Sequence, residues 1–264
     1  MEQQHPWRIV QLTDSHLYKD PSSRLMGMNT AASFKAVVDL VRKERDQIDY
    51  ILGTGDITQD ASIEGYNRFR EAALALCPNM AWIPGNHDEA ELMQRLPFET
   101  SHYSKIIDHE HWRIVLLDSS ILKTVYGRLD APELQFLGDA LASAGDRHVL
   151  VTLHHNPIPS GSVWLDNHCL KNSEDFHAVI ERHANVKVIL WGHIHQFVDK
   201  EIDGRRYLAT PSTCVQFAPQ QVDFKADDAS PGYRWLDLYP DGHIETAVSR
   251  VTVQLDVDLQ SAGY

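Results

Sequence analysis

Short apolar runs rich in Val, Ile and Leu recur along this chain, and most of them end in a polar cluster. "WRIVQL" runs into "TDSH", "DYILGT" into "GDIT", "AWIP" into "GNHD" and "RIVLL" into "DSS". "HVLVTL" likewise runs into "HHNP", "VKVIL" into "WGHIH" and "RRYLAT" into "PSTC". Runs of this length without clean alternation predict strands buried on both faces.

Helical spacing fills several of the intervals. Phe34, Val37, Val38 and Val41 fall at i, i+3, i+4 and i+7 behind the candidate caps Asn29 and Thr30. Leu134, Leu137 and Leu141 repeat the pattern behind Asp130, and Phe176, Val179 and Ile180 do so behind Ser173. Strands alternating with helices predict an α/β domain, whose sites form beyond the carboxyl ends of the strands. The polar clusters stand at those ends. The stretch "YRWLDLYPDGHIETAVSRV" instead predicts a C-terminal β-hairpin turning at "PDG". No linker or repeat interrupts the chain, so residues 1–264 are expected to form a single domain.

Composition narrows the function classes. Hydrophobic residues make up 43% and charged residues 23%, as in ordinary globular proteins. The net charge is −13, from 37 acidic against 24 basic residues, with no Lys/Arg run to track a phosphate backbone. That excludes a nucleic-acid polymer as the expected partner. No apolar run approaches the length of a membrane span, and "MEQQHPWRIV" lacks a basic segment followed by an apolar one. Cys77, Cys169 and Cys214 are far apart and odd in number, which fits free thiols. A cytoplasmic protein with no membrane partner is the expectation.

The polar clusters carry the chemistry. Asp14 and His16 are two apart, as are His193 and His195; Asp56 follows Gly55; Asn86 and His87 follow Gly85; His154 and His155 close another run. Taken singly, each piece is usually a turn, a cap or a solvated pair. Five strand ends in succession offering carboxylate, imidazole and amide, without thiolate, form a donor set for Mn²⁺, Fe²⁺/Fe³⁺, Zn²⁺ or Co²⁺. There are enough donors for two ions. Asp118 in "LLDSS" is expected to act as a cap or hydrogen-bond acceptor, and Asp88 to orient the "GNHD" loop or cap the next helix. His109 and His111 read as solvated. Trp164 either stacks on a substrate ring or packs in the core.

In their order, D-x-H (14–16), G-D (55–56), G-N-H-D (85–88), H-H-x-P (154–157) and G-H-x-H (192–195) resemble the calcineurin-like metallophosphoesterase superfamily. "RLMGMNT" (24–30), "GSVWLDNH" (161–168), "WGHIHQ" (191–196) and "ATPSTCVQF" (209–217) narrow the likeness to the bacterial class III cyclic-AMP phosphodiesterases. The resemblance implies a four-layer α/β/β/α sandwich, the C-terminal hairpin completing a sheet, with a two-metal site at the strand ends. It implies that Asp14, His16 and His195 hold one metal, that Asp56 bridges, and that Asn86, His154 and His193 complete the second. "HHNP" leaves His154 against His155 open; His154 is taken because "HHNPIP" fits the longer family pattern without a gap. His87 and Asp56 are the implied catalytic residues, and His16, Asp56, Asn86, His87 and His195 the implied substrate contacts. His87 would either protonate the leaving group or stabilise the phosphoryl oxygens. The implied ions are Fe²⁺/Fe³⁺ or Mn²⁺, with Zn²⁺ or Co²⁺ as alternatives. The implied reaction is hydrolysis of 3′,5′-cyclic AMP to 5′-AMP by a metal-bridging hydroxide. The alternatives are another small phosphodiesterase, for example on glycerophosphodiesters, or a non-catalytic scaffold. Oligomeric state is left open.

Overall fold

The computed structural model describes residues 5–97, 100–252 and 256–263; the first four residues of the opening stretch lie outside them. In chain order the strands are β1 (Trp7–Leu12), β2 (Arg24–Leu25), β3 (Met28–Asn29), β4 (Tyr50–Thr54), β5 (Met80–Ile83), β6 (Ile106–Asp108) and β7 (Trp112–Leu116). They continue with β8 (His148–Thr152), β9 (Val186–Trp191), β10 (Val198–Ile202), β11 (Arg205–Ala209), β12 (Gln216–Phe217), β13 (Ala226–Asp227), β14 (Gly232–Leu238) and β15 (Ile244–Arg250). The helices are α1 (Thr30–Glu44), α2 (Ile63–Leu74), α3 (Ala90–Arg95), α4 (Ala131–Ala142), α5 (Val163–Asp166) and α6 (Ser173–Ile180). Each apolar run named above is one of these strands.

Two sheets carry the architecture. One has the order β15-β14-β1-β4-β5, with β1, β4 and β5 parallel and the C-terminal hairpin β14–β15 added antiparallel beside β1. The other has the order β10-β11-β9-β8-β7-β6, in which β7, β8, β9 and β11 run parallel.

The apolar runs lack alternation because both faces of each central strand are covered. In β1, Ile9 enters the core between the sheets, whereas Val10 and Leu12 pack outward with Phe34 and Val37 of α1 and Phe69 of α2. In β8, Leu150 faces the inter-sheet core, whereas Val149 and Val151 meet Leu137 of α4 and Phe176 of α6. Helices, sheet, sheet, helices is the expected four-layer order. Complete burial of a Val, Leu or Phe stabilises by roughly 1.5–3 kcal/mol, so three such cores oppose the entropy of ordering the chain.

Two of the expected helix starts hold. Asn29 caps α1 by accepting from Ala32 N at 2.7 Å, and Asp130 caps α4 by accepting from Glu133 N at 2.8 Å. The third differs: Ser173 is the first residue of α6, and Asn172 stands at its cap without a capping side-chain bond. The Asn172 amide instead clamps the Leu129 backbone, accepting from its N at 3.0 Å and donating to its O at 2.7 Å. A tertiary contact outcompeted the local one.

Candidate metal centre

The carboxyl ends of β1, β4, β5, β8 and β9 converge on one cluster of buried donors. Backbone hydrogen bonds between the loops hold it together. Asp14 N donates to Gly55 O at 3.0 Å, His16 N to Asp56 O at 2.9 Å, and Gly192 N to His154 O at 3.2 Å. The carboxylates anchor the same loops. Asp14 accepts from His193 N at 3.0 Å and 3.1 Å, and Asp56 Oδ1 accepts from His87 N at 2.9 Å.

Ligating atoms of Asp14, His16 and His195 lie within 4.8 Å of one another, as do those of Asp14, Asp56 and His154. The sets His16, Asp56 and His87, and His154, His155 and His193, meet the same limit. His193 and His195 therefore belong to different groups, in line with what the family resemblance implies for "WGHIHQ". Asn86 sits between Gly85 and His87 beside Asp56, and its Oδ1 is buried without a hydrogen-bond partner.

Three of the imidazoles share one arrangement. His154 Nδ1 donates to Thr54 O at 2.8 Å, His195 Nδ1 to Val215 O at 2.7 Å, and His16 Nδ1 to Gln59 Oε1 at 2.6 Å. A carbonyl oxygen only accepts, so a proton sits on Nδ1 and Nε2 is the nitrogen directed into the cluster. As a result His16 Nε2 and His195 Nε2 face each other at 3.2 Å, and His154 Nε2 faces Asp56 Oδ2 at 3.3 Å. Asp56 Oδ2, Asn86 Oδ1, His154 Nε2 and both ring nitrogens of His193 are buried without hydrogen-bond partners. Asp56 offsets its burial against His154, whereas Asn86 Oδ1 and the His193 ring nitrogens have no such partner, and buried polar atoms left so are costly unless a cation lies among them. These residues fit two metal ions.

The backbone is strained here as well. Asp14, His16, Asp56, His193 and His195 adopt φ values of 52°, 43°, 47°, 66° and 50°. Non-glycine residues in that region cost about 1–3 kcal/mol each and persist where the surroundings over-determine them.

Electrostatics separates the imidazoles. Burial alone would depress His154, but the Asp56 carboxylate outweighs it and pushes the imidazole up to about 9. Burial would raise Asp56, but His154 beside it holds its carboxyl well below the usual range. Burial takes His16 down to about 3 and, with His154 nearby, holds His155 and His193 well below the usual imidazole value. Those three rings are neutral and have lone pairs to offer. Cys214, whose Sγ donates to Asp14 O at 3.4 Å, is pushed up to about 12 by burial and stays a thiol. The donor set is therefore oxygen and nitrogen.

Glycine is required at position 85, because a Cβ there would land on Asp56 Oδ1 and on the Asp56 backbone N. Gly85→Ala is expected to displace Asp56 and to reduce bound metal at least tenfold, read by metal analysis of the folded variant.

The remaining candidates resolve as follows. Asp88 orients loops rather than capping α3: it accepts from Gly85 N at 2.9 Å, Ile57 N at 3.0 Å and Thr58 N at 3.1 Å, and the cap position is Glu89. Burial and the neighbouring Asp56 charge raise its carboxyl to about 6. Asp118 accepts from Ser120 N and Oγ at 2.8 Å and 2.6 Å, as a turn acceptor. His111 is exposed, whereas His109 is not merely solvated: its ring stacks on Trp7 at 4.9 Å. Trp164 is half-buried and packs edge-on to Phe217 at 5.2 Å and Phe224 at 5.1 Å, which is the core reading. Sequence reasoning missed Gln59 and the carbonyls of Thr54 and Val215, which fix the histidine tautomers. A carbonyl acceptor has no residue-type signature.

The profile of the calcineurin-like phosphoesterase family matches residues 8–197. The chain is 46% identical to the 3′,5′-cyclic adenosine monophosphate phosphodiesterase CpdA of Pseudomonas aeruginosa, over 97% of this chain and 94% of that one. It is 40% identical to the CpdA of Escherichia coli K12, over 97% and 94% respectively. Among solved structures, a dimetal phosphatase from Danio rerio superposes with a TM-score of 0.71 at 15% identity, covering 97% of this chain and all of that one. That likeness speaks for the fold alone.

Proposed function

The chain belongs to the calcineurin-like phosphoesterase family, and from that premise we propose that it hydrolyses 3′,5′-cyclic AMP to 5′-AMP at a dinuclear metal site. The observation that carries the reading is the buried cluster of carboxylates and imidazoles around Asp56, in which Asn86 Oδ1 and both ring nitrogens of His193 have no hydrogen-bond partner, set at the strand ends of a chain 46% identical to a cyclic-AMP phosphodiesterase. In this reading residues 1–264 are one catalytic domain, because both sheets deliver donors to one site.

Asp14, His16 and His195 would hold one ion and Asn86, His154 and His193 the other, with Asp56 shared. When bound, the ions polarise the phosphoryl oxygens and acidify a water into a nucleophile near neutral pH. Thr54 O, Gln59 and Val215 O hold a proton on Nδ1 of each imidazole, so Nε2 is the atom offered to an ion; His154, charged beside Asp56 before an ion binds, would release its Nε2 proton as one does. His87 is tethered by its backbone to Asp56, and its half-buried ring lies 5.0 Å from that of His16. From there it contacts the phosphoryl group and gives its proton to the departing ribose 3′-oxygen. His16, Asp56, Asn86 and His195 belong to the same cluster and would form the rest of the substrate contact. Mixed oxygen and imidazole donors favour iron or manganese, with Zn²⁺ or Co²⁺ as substitutes. The three cysteines are unpaired, which accords with a cytoplasmic setting.

The test is turnover of 3′,5′-cyclic AMP beside bis-p-nitrophenyl phosphate and a glycerophosphodiester, by protein loaded with Mn²⁺ or Fe²⁺. Metal-dependent release of 5′-AMP is the expected outcome. Turnover of the generic diesters alone would retain the site and discard the substrate.

Chelation is expected to abolish that turnover and to lower Tm. An ion at a hundredfold its Kd adds about 2.7 kcal/mol per site, which in a chain of 264 residues corresponds to several degrees. Unchanged Tm after complete metal removal would contradict the two-ion site.

A further inference from the structure

Only one histidine of the pair 154–155 is used above, yet both are fully buried beside His193. A ring nitrogen of His155 lies within 4.8 Å of one on His154 and one on His193. The three rings contact pairwise, with centroids 5.0 Å apart for His154 and His155, 4.6 Å for His155 and His193, and 5.1 Å for His154 and His193.

His155 also carries the arrangement seen on the ligating histidines. Its Nδ1 lies 2.8 Å from Ser119 Oγ, and its Nε2 is buried without a hydrogen-bond partner. Ser119 Oγ further accepts from the His155 backbone N at 3.3 Å, so the serine holds both the backbone and the ring. The ring has little freedom to turn away, because a Cβ at Gly127 would already overlap it. A histidine that served only to fill the core would ordinarily have both ring nitrogens satisfied.

We propose that His155 is an additional ligand of the second ion, joining His154 and His193, with Ser119 as its positioning residue. Three nitrogens each about 2.1 Å from one ion are at most about 3.6 Å apart from one another, so rings within 4.8 Å need to draw in by up to about 1 Å. The second ion then has one more imidazole than the motif pattern alone provides, which favours a borderline metal over a hard one such as Mg²⁺. This inference rests on the two-metal reading above.

The experiment titrates Mn²⁺ into metal-free wild type, His155→Ala and Ser119→Ala. It measures both Kd values, bound stoichiometry, and Tm with and without metal. In wild type two ions should bind. In His155→Ala the Kd of one ion should rise at least tenfold while that of the other stays within twofold, and the metal-induced gain in Tm should shrink. Ser119→Ala should move the same Kd in the same direction by a smaller factor. Nitrogen coupling of the bound Mn²⁺, read by pulsed EPR, should lose one imidazole in His155→Ala. Unchanged Kd values and imidazole count in that variant would overturn the ligand assignment while leaving the two-ion site intact. Should His155→Ala fail to fold without metal, Ser119→Ala and His155→Gln provide the same readouts. Wild type that binds fewer than two ions would overturn the underlying reading instead.

Discussion

Asp56→Ala is expected to lose cyclic-AMP hydrolysis by about 10⁴-fold or more, together with both metal ions. The size of the effect follows from where the two carboxylate oxygens point. Oδ2 faces His154 Nε2 at 3.3 Å and His16 Nε2 at 3.8 Å, so one atom serves both ligand groups. Oδ1 holds the His87 backbone N at 2.9 Å, so the same substitution also frees the loop that carries the proposed proton donor. Asp56→Asn keeps the volume and an acceptor for His87 N but removes the charge, and it should still lose at least one ion. Metal analysis of the purified variants beside their turnover separates these effects. Two ions bound to Asp56→Ala, or full activity, would refute the shared-ligand role.

His87→Ala should behave differently. In the proposed reading its side chain meets the substrate while the ions rest on other groups, so about two ions per chain should remain as kcat falls by 10²–10⁴, roughly the worth of a positioned general acid. The leaving group makes this sharper. A ribose hydroxyl is a far weaker acid than p-nitrophenol and needs a proton as it departs. The loss should therefore be at least tenfold larger on cyclic AMP than on bis-p-nitrophenyl phosphate. Equal losses on both substrates would assign His87 to the phosphoryl oxygens, and loss of an ion would make it a ligand.

Much of this architecture was legible beforehand for a simple reason. Central strands covered on both faces must be apolar throughout, so "WRIVQL", "HVLVTL" and "VKVIL" announce themselves without tertiary information. Their polar endings mark the sheet edge where side chains from distant segments meet. Local competition was harder to read. Ser173 has the right residue type for a cap, but Asn172 had the cap position and spent its amide on Leu129 instead. Trp164 gave no periodic signal, and its aromatic neighbours Phe217 and Phe224 come from far along the chain.

Residue type and strand period are local properties, so the order of amino acids already says which side chains could ligate and in what order they reach the sheet edge. Tertiary structure alone decided which lone pair each histidine presents. The acceptors that fix His16, His154 and His195 come from Gln59, Thr54 and Val215, at separations of 43, 100 and 20 residues. Two of those three are backbone carbonyls, identical in every residue. The burial that keeps His155 neutral and places Ser119 against its ring is likewise a property of the packed chain, since "HHNP" treats its two histidines alike.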